Sequence, residues 1–173
     1  MTNTTDIIES LFETITPPQL GPARRPEAIP LNEIENKMAK VLANAKLLES
    51  DAQKVRCACL LWHDHLEESH EISQDLHDAD GCFLHAIMHR REPDYPNSKY
   101  WFNRTEDHPA YSGIHECVVA ISDNFDLFKK TATWNSLEMV DAVSRAIPNT
   151  EEYSLLQQIQ QIEFKVLVRR FSQ

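Results

Sequence analysis

A chain of 173 residues with only three glycines, Gly21, Gly81 and Gly113, has few places where it can turn tightly. Sheets join their strands through turns that recruit glycine, so this scarcity points to helices. The prolines divide the chain further. Pro17, Pro18, Pro22, Pro26 and Pro30 crowd into residues 16–30, where a fixed φ and a missing N–H exclude regular helix and predict an extended arm. Before the arm, Ile7, Ile8, Leu11, Phe12 and Ile15 give a short amphipathic helix over 6–15. After it, Asn32 and Glu35 form a capping pair, and Ile34, Met38, Val41, Leu42, Ala45 and Leu48 form an apolar stripe. Ser50 and Gln53 are a second capping pair, and from there the pattern is helical to about residue 77, ending in a polar break at 78–81. A shorter helix is predicted over 81–91, then a loop with one aromatic helical turn at 98–104, then helices near 109–128, 135–146 and 151–171. The expected architecture is an all-α bundle of six or seven helices. Residues 1–30 form the N-terminal helix and Pro-rich arm, and 31–173 a single helical domain.

With 27 acidic against 17 basic residues the net charge is −10, which disfavours nucleic acid and anionic membranes as partners. No run approaches the length of a membrane span, and the first residues carry no basic, apolar leader pattern, so a cytoplasmic protein is expected. Cys57, Cys59, Cys82 and Cys117 form no C-x-x-C pair, and buried free thiols are the reading that follows.

All eight histidines lie between residues 63 and 115. Imidazole is the commonest transition-metal ligand and the side chain that titrates near neutrality, so such a cluster is informative. If 51–77 is one helix, His63, Glu67, His70, Gln74 and His77 share a stripe, with His65 on the opposite, solvent side. His85 and His89, four residues apart, place two imidazoles on one helical face, and Glu67 with His70 makes a Glu-x-x-His pair. Brought together by the short 78–81 break, Glu67, His70, His85 and His89 are the candidate ligands of a divalent metal, iron or zinc. His63 is the candidate general base. There is neither an H-E-x-x-H signature nor a second Glu-x-x-His, so a zinc protease and a symmetric di-iron bundle are not supported.

The segment after the second histidine helix is locally basic in an acidic protein, with Arg90, Arg91, Lys99 and Arg104 against Glu92 and Asp94. Arginines fork onto carboxylate or phosphate, which makes Arg90, Arg91 and Lys99 candidates for holding a small anionic ligand, with Tyr100 a candidate proton donor. The competing reading is an internal ion-pair network of Arg90 or Arg91 with Glu92 or Asp94.

The block Trp62-His63-Asp64-His65-Leu66, Ser69-His70, Gly81, His85-Ala86-Ile87-Met88-His89-Arg90-Arg91-Glu92-Pro93-Asp94-Tyr95, Asn97 and Lys99-Tyr100-Trp101-Phe102 resembles a family of uncharacterised bacterial and fungal proteins. The resemblance covers about residues 60–115 and implies that this block is the working part, with no reaction to carry over. The expectation is a metal-dependent enzyme acting on a small polar or anionic molecule in a His/Glu pocket between two helices. The alternative is a non-enzymatic helical binding protein with a structural or pH-sensitive histidine cluster.

Overall fold

The structure is a computed structural model, and it describes residues 3–122, 128 and 132–173. Every regular element among them is helical. In order these are α1 (Thr4–Glu9), a 3₁₀ turn (Ser10–Phe12), α2 (Leu31–Ala45), α3 (Glu49–Trp62), α4 (Leu66–Ser73), α5 (Ala79–Arg91), α6 (Tyr95–Asn103), α7 (Ala110–Ile121), α8 (Ser136–Arg145) and α9 (Glu151–Phe171). That makes nine helices among the described residues, against six or seven expected. No helix there is long and apolar enough to cross a membrane.

The extra helices come from two places. First, the continuous helix expected over 51–77 is broken at residues 63–65, where Asp64 takes φ 65°. A left-handed residue without a glycine needs compensation, and Asp64 has it. Its carboxylate accepts from Arg25 Nε at 2.8 Å and from Arg91 Nη2 at 2.7 Å, while the Arg25 backbone N–H donates to it at 3.1 Å. Burial alone would push this carboxyl up, but the Arg25 hydrogen bonds and the Arg91 charge outweigh it and hold the group below its usual range. Second, the loop expected after residue 91 winds into α6. Asp94 caps it, accepting from Asn97 N–H at 3.3 Å, and Pro96 stands in the first turn, where no N–H is needed. Of the helix expected over 109–128, α7 occupies 110–121, and residues 123–127 lie outside the described chain. The capping pairs also differ: α2 starts behind Pro30 and α3 behind Leu48, neither with a side-chain cap.

α5 lies at the centre and packs on α3, α4 and α6. Every residue from Asp80 to Arg91 is buried, which is why this helix lacks the one-sided pattern of a surface helix. Its start is tightly fitted. Asp78 accepts from Gly81 N–H at 2.8 Å, and a Cβ at Gly81 would stand 2.3 Å from Leu76 Cβ, so only glycine lets the end of the α4–α5 turn lie against the helix. Around it, Leu61, Phe83, Ile87, Phe164 and Leu167 build the core with Ile8 and Leu11 from the N-terminal segment. Residues 13–30 carry no helix and lie along the body, with Leu20 and Arg25 buried. Cys57, Cys59 and Cys82 are buried free thiols, and Cys117 is exposed. Burial pushes the Cys57 and Cys59 thiols well above their usual values, so they remain protonated.

Candidate metal centre

The α4–α5 packing brings three imidazoles together. His70 comes from the last turn of α4, and His85 and His89 stand on successive turns of α5. One ligand atom from each lies within 4.8 Å of the others. Ring centroids are separated by 4.9 Å (His70–His85), 5.1 Å (His70–His89) and 4.7 Å (His85–His89), the last pair nearly parallel at 18°. A tetrahedral ion with bonds of about 2.0–2.1 Å wants its nitrogens about 3.3 Å apart. To hold such an ion the trio would have to draw in by up to about 1.5 Å.

His85 is the distinctive member. It is 3% exposed, and neither ring nitrogen has a hydrogen-bond partner. Trp101 of α6 stacks on one face at 4.1 Å and 20°. A buried imidazole carries one donor and one acceptor, and leaving both unmet costs about 1–3 kcal/mol each. Burial, with the neighbouring His89 and His70, pushes its pKa down to about 3. His89 is also lowered by burial and by His70, with Asp94 opposing. Both rings are thus neutral at pH 7, the state a metal ligand must have. His89 meets two polar side chains: Asn97 Nδ2 stands 3.1 Å from Nε2 and 3.4 Å from Nδ1, and Glu92 Oε2 stands 3.5 Å from Nδ1.

The other candidates lie elsewhere. Glu67 is exposed on the first turn of α4 and is not among the converging groups. His63 sits just after α3, and its Nε2 meets the Leu11 carbonyl at 2.7 Å. The broken helix therefore takes it off the expected stripe and ties it to the N-terminal segment. His65, expected on the surface, is buried, with Nε2 at 2.8 Å from the Ile29 carbonyl. His108 faces Asp80 at 3.0 Å. Arg90 is fully buried, forked onto Glu163 of α9 and bonded to Gln160. Arg91 is fully buried on Asp64 and the Leu61 carbonyl. Both arginines do make internal ion pairs, but with Asp64 and Glu163 rather than Glu92 or Asp94. Lys99 pairs with Asp141 of α8 at 2.6 Å. Tyr100 is 54% exposed and touches the cluster only through Trp101, edge-on at 5.3 Å.

Sequence reasoning missed Trp101, Asn97 and Glu92 as neighbours of the histidines. The signal available was the Asp94-x-x-Asn97 spacing, which starts a helix immediately after α5 and so turns its first residues back toward His89. No protein-family model, curated protein or solved structure matches this chain.

Proposed function

We propose that the protein is a metal-dependent enzyme in which His70, His85 and His89 hold one divalent ion, iron or zinc. Three neutral nitrogen donors without thiolate suit borderline transition metals and not magnesium or calcium. Three protein ligands leave coordination positions open, and an ion so held would activate a bound water or the oxygen of a small polar substrate. His70, the half-buried member, marks the side from which water and substrate would enter. The paired, buried state of Arg90 and Arg91 favours a neutral polar substrate over an anionic one.

The observation that carries this reading is His85, a buried imidazole with two unmet nitrogens and two further imidazoles beside it. Zinc or cobalt titration of the full chain, followed by tryptophan fluorescence with the Trp101→Phe variant as control, tests it. The expected result is one ion per chain, bound at least tenfold more weakly by the His85→Ala and His89→Ala variants. Glu67→Ala should bind as the wild type does. The cobalt d–d spectrum reports coordination number, and a small-molecule hydrolysis and oxidation screen of the loaded protein tests turnover. Binding no tighter than to a chain lacking all three histidines would end the proposal.

A further inference from the structure

Of the three converging imidazoles, His89 is the one with polar side chains against its ring, Glu92 from the end of α5 and Asn97 from the first turn of α6. Glu92 closes that helix, its N–H donating to the Met88 carbonyl at 3.1 Å, and it stands three residues beyond His89 on the same face. The turn is fixed to the histidine itself. The Asp94 N–H donates to the His89 carbonyl at 3.0 Å, and the Asp94 carboxylate accepts from Asn97 N–H at 3.3 Å. The end of α5 thereby holds Glu92 on the Nδ1 side of the ring, and the first turn of α6 lays Asn97 against the ring within reach of both nitrogens.

An ionised carboxylate only accepts, so beside Nδ1 Glu92 selects the tautomer that carries the proton there. The Asn97 amide stands 3.1 Å from Nε2 and 3.4 Å from Nδ1, so it lies against the ring without choosing between tautomers and would give way to an ion at Nε2. The Nδ1–H tautomer leaves the Nε2 lone pair for the ion, and a carboxylate behind the ring makes it a stronger donor. Glu92 is 3.5 Å from Nδ1 with a side chain 37% exposed, so closing to hydrogen-bond distance needs only rotation of a surface side chain.

We infer that Glu92 is a positioning residue of the centre: it holds His89 as the Nδ1–H tautomer and presents Nε2 to the ion. This rests on the metal reading above, but it can fail separately. The test pairs two measurements on wild type, Glu92→Gln and Glu92→Asp. Long-range ¹H–¹⁵N spectra of the metal-free chain at pH 7.5 read the His89 tautomer. Competition with a chromophoric chelator reads zinc affinity. The wild type should show His89 protonated on Nδ1, and Glu92→Gln should show a mixed tautomer and a zinc affinity lower by about 10–100-fold. Glu92→Asp should recover part of the loss. A wild-type His89 protonated on Nε2, or a Glu92→Gln affinity within twofold of wild type, would overturn the inference. A wild type that binds no zinc would overturn the metal reading, while the tautomer would still decide the role of Glu92.

Discussion

Replacing His85 by leucine should make the metal-free protein more stable, an unusual outcome for a change at the centre of a core. The magnitude follows from the surroundings of the ring. Both nitrogens are buried without partners, and relieving two such groups is worth about 2–6 kcal/mol in total. Against this stand the lost stack on Trp101 at 4.1 Å, worth about 0.5–1.5 kcal/mol, and the imperfect fit of a differently shaped side chain, up to about 1.5 kcal/mol. With each term at the middle of its range the net is a gain of about 2 kcal/mol, or about 4–8 °C in Tm for a chain of this size. Urea and thermal unfolding at pH 7.5 in excess chelator measure it. The same experiment with zinc at a hundred times its Kd should raise the wild type by about 2.7 kcal/mol and leave His85→Leu unmoved. The two results together distinguish a ligand from a packing residue, because a site kept for binding carries a cost when empty. A His85→Leu protein less stable than wild type in chelator would refute the reasoning, since it would mean that the imidazole is satisfied where it stands.

Other expectations follow from separate parts of the fold. His63 is pushed below its ordinary value chiefly by burial, with Arg25, Lys37 and His65 adding to the shift and the Leu11 bond opposing it. The unfolded chain therefore takes up this proton first, and stability should be full above about pH 6.5 and fall as the pH drops toward the lower folded value. His63→Gln should flatten that slope in urea titrations between pH 7 and 5, and an unchanged slope would exclude His63 as its source. Glu163→Gln strands the Arg90 guanidinium in a site where both side chains are fully buried and should cost about 3–5 kcal/mol, with Arg90→Met/Glu163→Leu regaining most of it by urea denaturation. Gly81→Ala, although alanine is the better helix former, should destabilise by about 1–3 kcal/mol, because its Cβ would meet Leu76. A neutral or higher Tm for this variant would show that the α4–α5 turn can yield.

Helix-forming stretches were legible because their signals are local. Glycine scarcity, the proline arm and the 3.6-residue apolar spacing fix the all-helical character, and α8 and α9 fall within a residue or so of the expected ranges. The break at 63–65 was not legible for a physical reason. Nothing near Asp64 in sequence disfavours a helix strongly enough, and the left-handed turn is held by Arg25, 39 positions earlier, and Arg91, 27 positions later. Such non-local ion pairs override local propensity without leaving a mark in any window of the sequence. The spacing of His85 and His89 needed only α5 to form, and the approach of His70 needed only a short turn before α5. His63 required the unbroken helix and lost its place with it, whereas Glu67 keeps its spacing to His70 on α4 and still faces solvent.

The same two arginines explain why a basic stretch in an acidic protein misleads about substrate. Arg90 and Arg91 are adjacent on α5, so they leave the helix about 100° apart. One reaches Glu163 on α9, and the other reaches Asp64 at the α3–α4 break. Each of these two cations is matched by a buried carboxylate distant in sequence, so neither adds an unpaired positive charge at the histidines. Glu92, 3.5 Å from His89, and Asp94, which opposes the lowering of the His89 pKa, place acidic groups beside that ring. Carboxylates beside a ligand attract a cation and repel an anion. On the metal proposal, Glu92 and Asp94 would aid capture of the ion and disfavour an anionic substrate. The Arg91–Asp64 pair links the helix that carries His85 and His89 to the junction from which α4 departs with His70. Arg91→Lys cannot make the two-point contact with the Leu61 carbonyl and Asp64 in the same geometry. It should therefore weaken zinc binding although it touches no ligand, and unchanged zinc affinity in a folded Arg91→Lys chain would show that the packing of α4 on α5 alone sets the site.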